Sequence, residues 1–195
     1  MSLRQTLSAA RLSRLARRAR AGDAAAFRRL YRATHPLVWR YASRRITARA
    51  DVEDLVARVF QRVVEHLDRF DPERGHVEAW VLGIARNAVI DHFRAQRGAR
   101  DADAVERLAD AAVDPAQALE DDERDAQLRR LLQDYPPAVR EMLSLRFADG
   151  LRLREIAELM DVSEAAIKQR FSRTLRDMRT KLDPTGQKGA AGYAI

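Results

Sequence analysis

The segment Leu153–Ser172, LREIAELMDVSEAAIKQRFS, decides the fold. Two short helical patterns flank a turn of about three residues. Ile156, Met160, Val162 and Ile167 supply apolar positions on both sides of that turn. Ala157 sits where the two helices cross closely, so a larger side chain would clash. Ser163 is placed to cap the second helix, and Glu164 suits its first turn. Asp161 takes the turn position where Gly is commonest, and Asp tolerates the left-handed conformation better than most residues. The pattern predicts a helix-turn-helix. Its outer face offers Lys168, Gln169, Arg170, Arg173 and Arg176, side chains suited to phosphates and base edges in a major groove. An ordinary helical hairpin shares the apolar spacing, but the cationic outer face favours DNA.

The surrounding residues extend this into a four-helix domain, at about 116–133, 137–148, 152–160 and 164–182. Asp114-Pro115 supplies an N-cap and a pre-set first helical residue, with Gln117 completing a capping box. Pro136-Pro137 separates the first two helices and Asp149-Gly150 ends the next. The tail, 183–195, has Pro184, Gly186, Gly189 and Gly192 but no packing pattern, and is expected to be disordered.

Upstream, the periodicity predicts a second helical domain. A first helix over about Leu3–Ala21 stops at Gly22, and Asp23 caps another that carries Phe27, Leu30, Tyr31, Val38 and Tyr41. His35-Pro36 falls inside that stretch as a kink or a restart. A third helix opens at Asp51, with Asp54 three residues on. Its apolar positions are Val52, Leu55, Val56, Val59, Phe60, Val63, Val64 and Leu67, a face for burial. Phe70-Asp71-Pro72-Glu73-Arg74-Gly75 reads as a turn. A long helix follows over about Val77–Arg97. Trp80, Val81, Ile84, Ala85, Ala88, Val89, His92 and Phe93 form its apolar side, and Arg86, Asn87, Asp91, Arg94 and Arg97 the other. Residues 98–114 lose all periodicity; as a flexible coil they would span about 20–25 Å. The expectation is an all-α chain of two small helical domains on a flexible acidic linker.

With 195 residues, 46% hydrophobic and 33% charged, the chain is globular in composition. It has no cysteine, which excludes disulfides, thiolate metal sites and a thiol nucleophile. The four histidines share no metal-site spacing, and no catalytic acid–base or Ser–His–Asp set stands out, so neither an enzyme nor a cofactor is expected. No apolar run approaches the roughly 18–20 residues of a membrane span. The Arg-studded N-terminus is no secretory signal, so a cytoplasmic protein without membrane attachment is expected. The formal net charge of +7 is unevenly spread: +10 over residues 1–97, −7 over 98–125 and +4 over 126–195. Two basic lobes around an acidic middle fit a polyanion partner, nucleic acid before membrane. An Arg-inflating coding bias fits the same composition.

Asp51-Val-Glu-Asp54-Leu55-Val56, the Trp80…Ile84-Ala85-Arg86-Asn87 helix, and Leu-Arg-Glu-Ile156-Ala157…Val162-Ser163…Lys168 follow one another in that order. Across about residues 20–182 the chain resembles the extracytoplasmic-function (ECF) sigma factors of bacterial RNA polymerase, in the sigma-70 superfamily. The resemblance implies a region 2-like domain (22–97) that binds the polymerase β′ clamp and opens the promoter at its −10 element. It implies a region 4-like domain (115–182) that binds the −35 duplex and the β flap. It further implies that Asn87 reads a non-template base, that the Phe70–His76 turn holds a flipped base, and that Arg86, Arg94 and Arg97 line the strand. Arg146, Ser163, Lys168, Gln169, Arg170 and Arg173 would meet the −35 duplex. Asp51, Asp54, Leu55 and Arg58 would face the core polymerase, and an anti-sigma factor is an expected partner.

The residues suit such a role. Capturing a single strand needs cations, a π-surface and an amide able to make two hydrogen bonds to a base edge. The helix of Arg86, Asn87, Arg94 and Arg97, beside a loop bearing Phe70, offers all three; Trp80 reads as a packing residue. Base unstacking costs a few kcal/mol, which a pocket for the extruded base can recover without ATP. A tether raises the effective concentration of each half for its own site. The linker fits both a nucleic-acid mimic inside the polymerase and a self-repelling spacer. The chain departs from the family in having Ala57-Arg58 where many members have Gln-Glu, and in Gln169. It departs also in its basic N-terminal twenty residues (1–21 as a segment), which fit added backbone contacts but favour a mostly solvated extra helix. Two other readings compete: a stand-alone helix-turn-helix regulator, and a protein-binding adaptor that reads no promoter.

Overall fold

The computed structural model describes the backbone of residues 3–73, 75–97, 128 and 130–182, with side chains from residue 10 onward and none at 96–97. The predicted linker, most of the predicted helix at 116–133, the tail and the Arg97 side chain lie outside the described residues. The chain divides into two compact units, Met1–Gln117 and Ala118–Ile195. All regular structure among the described residues is helical.

Unit 1 begins with α1 (Leu3–Arg20), which stops at Gly22, a residue with φ of 91°. The left-handed backbone there is open to glycine at little cost. Asp23 then caps α2 (Ala24–Ser43): its carboxylate accepts from the N–H groups of Ala25 and Ala26, each at 2.9 Å. Pro36 neither breaks nor restarts α2, which runs through it unbroken. The carbonyl four residues back, on Arg32, loses its helical donor but lies on an exposed residue, where water can replace it.

Helix α3 spans Arg49–Glu65 and starts two residues earlier than its acidic pair suggested. Ala48 is the N-cap and makes no side-chain capping bond, so Asp51 is a first-turn residue that favours the helix dipole and not a cap. A short 3-10 helix (Leu67–Arg69) leads to the turn, and α4 spans Val77–Arg97.

The core of unit 1 lies between α2, α3 and α4. Leu30, Val38 and Tyr41 meet Val52, Leu55, Val56, Val59 and Val63, with Val81, Leu82, Ala85 and Val89 opposite, all nearly inaccessible. Val64 continues the apolar spacing yet is 57% exposed, because it has turned past the edge of the buried face. On α4 the buried face is wider than the sequence suggested and includes Leu82 and Ile90. Helix α1 is not a solvated appendage: it packs on α2, α4 and the 3-10 helix, and buries Leu12, Leu15 and Ala16. Apolar residues three and four apart gave this helix a face that its many arginines obscured.

In unit 2 the described residues 130–133 are helical and lead to Pro136. Then follow α5 (Pro137–Phe147), α6 (Leu153–Leu159) and α7 (Glu164–Leu182). Met142, Leu145, Ile156 and Ile167 are fully buried between them. Gly150, with φ of 74°, makes the sharp exit from α5.

Candidate nucleic-acid interfaces

In unit 2, α6 and α7 form the expected helix-turn-helix. Asp161 has φ of 54° and is the only non-glycine residue with positive φ among the described residues. The Ala166 N–H donates to Ser163 Oγ at 3.2 Å, which makes Ser163 the cap of α7. At the start of α6 the Arg152 N–H donates to the buried Glu155 carboxylate at 2.8 Å. Ala157 is 3% exposed at the helix crossing, so the contact leaves no room there for a larger side chain. Val162 is not a core residue: the tight turn leaves it 37% exposed, and Met160 is half-buried.

The cationic set on α7 is exposed as expected: Lys168, Gln169, Arg170, Arg173 and Arg176. At about 100° per residue, Lys168 and Arg170 stand on opposite flanks, with Gln169 and Arg173 between them. Lys168 Nζ lies 2.7 Å from Glu164, so in the free protein its charge is already met by a neighbour one turn away. Arg146 donates to the Leu151 carbonyl at 2.9 Å, so one arm of its guanidinium holds the α5–α6 loop. Gln169, Arg170 and Arg173 line a groove whose far wall is Tyr135 and Val139.

Tyr135 ties the start of the described unit to α7. Its hydroxyl donates to Asp177 at 2.6 Å, and Lys181 Nζ lies 3.1 Å from the same carboxylate and 4.7 Å from the tyrosine ring. Burial first, and then Asp177, push the Tyr135 hydroxyl up to about 12. The hydrogen bond from Tyr135, then Lys181, hold Asp177 below the ordinary carboxylate value. Neither Tyr135 nor Asp177 was singled out from the sequence, which contains no local sign of a pair 42 residues apart.

In unit 1, Asn87 is exposed on α4, and Asp91 and Arg94 follow it on one stripe at i+4 and i+7. Nothing in the residue pattern points to Arg62 at this stripe. From α3 it lies 3.1 Å from Asp91, and Arg94 lies 3.9 Å from the other oxygen of the same carboxylate. Arg62 thus offsets the one negative charge on a stripe otherwise suited to an anionic strand. Arg86 is half-buried on the adjacent face.

Phe70 is the reverse of the sequence expectation. It is 6% exposed, and its ring lies 5.5 Å from that of Trp80, which is the more accessible of the two. The 3-10 helix before it turns Phe70 inward, so the π-surface reachable from solvent belongs to Trp80. His76 is half-buried at the start of α4, and its carbonyl accepts from the Trp80 N–H.

On α3, Asp54 and Arg58 are exposed and Asp51 is half-buried, 3.9 Å from His92 Nε2 on α4. Leu55 differs from this expected polymerase-facing group: it is 0% exposed, and its side chain fills the core beneath that face. Leu55 lies on the inner face of α3 with Val52, Val56 and Val59, all buried.

A helical bundle with one amide-bearing cationic stripe, joined in sequence to a cationic helix-turn-helix, defines a two-module DNA-binding protein. The sigma-70 region 2 family model matches residues 30–99, and the sigma-70 region 4 model residues 125–178. The ECF RNA polymerase sigma factor BldN of Streptomyces coelicolor is 33% identical over 171 residues, spanning 87% of this chain and 65% of BldN. The ECF RNA polymerase sigma factor ShbA of Streptomyces griseus is 31% identical over 175 residues, spanning 85% of this chain and 92% of ShbA. Among solved structures, the sigma factor RpoE of Bartonella quintana, in complex with the anti-sigma factor NepR, has the same fold. It aligns with a TM-score of 0.54 and 21% identity over 83% of this chain and 98% of that one. The chain belongs to the ECF sigma factors of RNA polymerase. The region 2 match removes the ground for a stand-alone helix-turn-helix regulator, which would have no use for that unit. No helix among the described residues is long and apolar enough to cross a membrane.

Proposed function

We propose that this chain directs core RNA polymerase to specific promoters by holding the −35 element as duplex and the −10 element as separated strands. The observation that carries this reading is the Asn87–Asp91–Arg94 stripe of α4, exposed and charge-balanced by Arg62. Asn87 presents an amide that can pair twice with a base edge, and Arg94, Arg86 and Arg97 hold the strand's phosphates. The Phe70–His76 turn receives an extruded base, with Trp80 as the stacking face and Phe70 supporting it from below. At −35, Gln169, Arg170 and Arg173 reach the major groove, Ser163 and Arg146 meet the backbone, and Lys168 exchanges Glu164 for a phosphate.

Asp51, Asp54 and Arg58 form the face for the β′ clamp, with Leu55 setting its shape from the core. Unit 2 carries the contact to the β flap. The domain limits in this reading are 1–21, 22–97, a linker at 98–114, 115–182 and a tail at 183–195. The chain does no chemistry of its own and works in the cytoplasm. An anti-sigma factor is its regulator, a reading supported by the fold shared with RpoE, which was solved with NepR.

The test is transcription from genomic DNA by core polymerase with and without the chain, read as RNA 5′ ends. New start sites sharing −35 and −10 sequences are expected. No new start sites on any template would defeat the proposal.

A further inference from the structure

The arginine of unit 1 is concentrated where none of the proposed contacts lie. Residues 1–50 contain 13 arginines, no lysine and a single acid, Asp23, whereas residues 51–97 hold 7 basic and 9 acidic residues. Arg11, Arg14 and Arg17 follow at intervals of three on the exposed side of α1, away from buried Leu12, Leu15 and Ala16. Arg28, Arg29 and Arg32 are exposed on α2. Among the described residues the side chains of these six make no ion pair or hydrogen bond, while Arg18 is held by Asp23, its Nε at 2.9 Å.

Ordinary helix electrostatics account for only part of this. Arginines in the last turn of α1 suit the negative end of its dipole, but Arg11 and Arg14 lie too far back for that. Like charges one turn apart repel and weaken a helix slightly. A packed helix is also no loose basic tail: burial of Leu12, Leu15 and Ala16 fixes the stripe on the unit's surface.

Its position gives the occupant. Helix α1 packs against the 3-10 helix that leads to Phe70 and against α4, which bears Asn87. A strand held by α4 therefore has flanking DNA within reach of α1. Arg11 to Arg17 spans about 9 Å of helix, against one phosphate per about 3.4 Å along each DNA strand. Guanidinium, more than ammonium, matches phosphate with paired hydrogen bonds. A lipid surface is disfavoured, since the apolar face an interfacial helix would insert is buried in protein.

We infer that the α1 arginine stripe, Arg11, Arg14 and Arg17, supported by Arg28 and Arg32, is a sequence-independent grip on the phosphates flanking the opened promoter segment. This rests on the proposed strand capture by α4.

The test compares the full chain with an R11Q/R14Q/R17Q variant, each assembled with core polymerase, for binding to promoter DNA between about 50 and 200 mM salt. The slope of log affinity against log salt should become shallower by about 2–3, and affinity near 0.1 M should fall on the order of tenfold, equally for different promoters. An R11K/R14K/R17K variant should keep most of the slope. An unchanged slope in a variant with unchanged thermal unfolding would overturn the inference. So would a loss confined to affinity for core polymerase, which would make the stripe a protein-docking surface. If N87A leaves promoter choice untouched while the slope still falls, strand reading by α4 fails and the stripe survives.

Discussion

The two units solve the same problem with different means. Among the described residues, unit 1 buries 25 apolar side chains and unit 2 only 9, yet four of the six buried polar residues belong to unit 2. Unit 1 is held by a broad apolar interior, to which α1 adds. The described part of unit 2 adds specific polar ties to its apolar contacts: Tyr135 to Asp177, the Arg152 N–H to Glu155, and Arg146 to the Leu151 carbonyl. A large core tolerates damage and leaves its surface free for recognition. Polar ties depend on single residues, and Tyr135 and Asp177 line the same groove as Gln169, Arg170 and Arg173, the side chains proposed to meet DNA.

Equal truncations of the two cores should break this comparison most sharply. Leu55→Ala and Ile156→Ala each remove a fully buried aliphatic group, at about 2–5 kcal/mol. Unit 2, where Ile156 is one of four fully buried large apolar side chains among the described residues that fill the space between α5, α6 and α7, should unfold and lose −35 duplex binding with Ile156→Ala. Unit 1 should stay folded with Leu55→Ala, at a lower melting temperature. Circular dichroism of each full-length variant on heating checks both.

The next effect concerns recognition without folding. Asn87→Ala should cost about 1–3 kcal/mol at one base position. Competition binding on fork templates that vary that base should show discrimination falling by one or two orders of magnitude, with melting unchanged.

A smaller effect sharpens the account of unit 2. Tyr135→Phe should lower its unfolding temperature by a few degrees. Because Asp177 is held below its ordinary value of 3.8, the tie is complete above that value and is lost as pH falls through the lowered one. Because Tyr135 is raised from 10 to about 12, the tie is complete below 10 and is lost as pH rises towards 12. The melting difference between wild type and variant should therefore be flat between about 5 and 9 and shrink at both extremes.

The smallest change expected is at the turn. Asp161→Gly relieves a left-handed backbone at a non-glycine residue and should leave stability unchanged or raise it by up to about 1 kcal/mol. Chemical denaturation can resolve that gain.

The helices themselves were legible because their punctuation is local. Asp23 caps, Gly22 stops, Pro136 and Gly150 separate, and Ser163 caps again, each acting over one turn of backbone. What the pattern could not supply was depth. Val64 and Leu55 sit in one periodic series, yet one faces solvent and the other lies at the centre of the core. Phe70 and Trp80 exchanged expected roles, because the direction of a loop residue is set by what packs on it. The solvated reading of α1 failed for the same reason: exposed arginines dominate its composition, but buried Leu12, Leu15 and Ala16 decide its packing. In the candidate sites, residue types and faces were readable, and the i,i+4 pair of Glu164 and Lys168 is local, whereas Arg62 with Asp91, 29 residues apart, emerged only from geometry.

The exposure of Asn87 has a consequence for how such proteins diverge. Its side chain is exposed on α4, so in the proposed role exchanging it would alter recognition at almost no risk to folding. Duplicated copies can then drift to new regulatory targets through single steps, each viable, while the architecture beneath remains untouched.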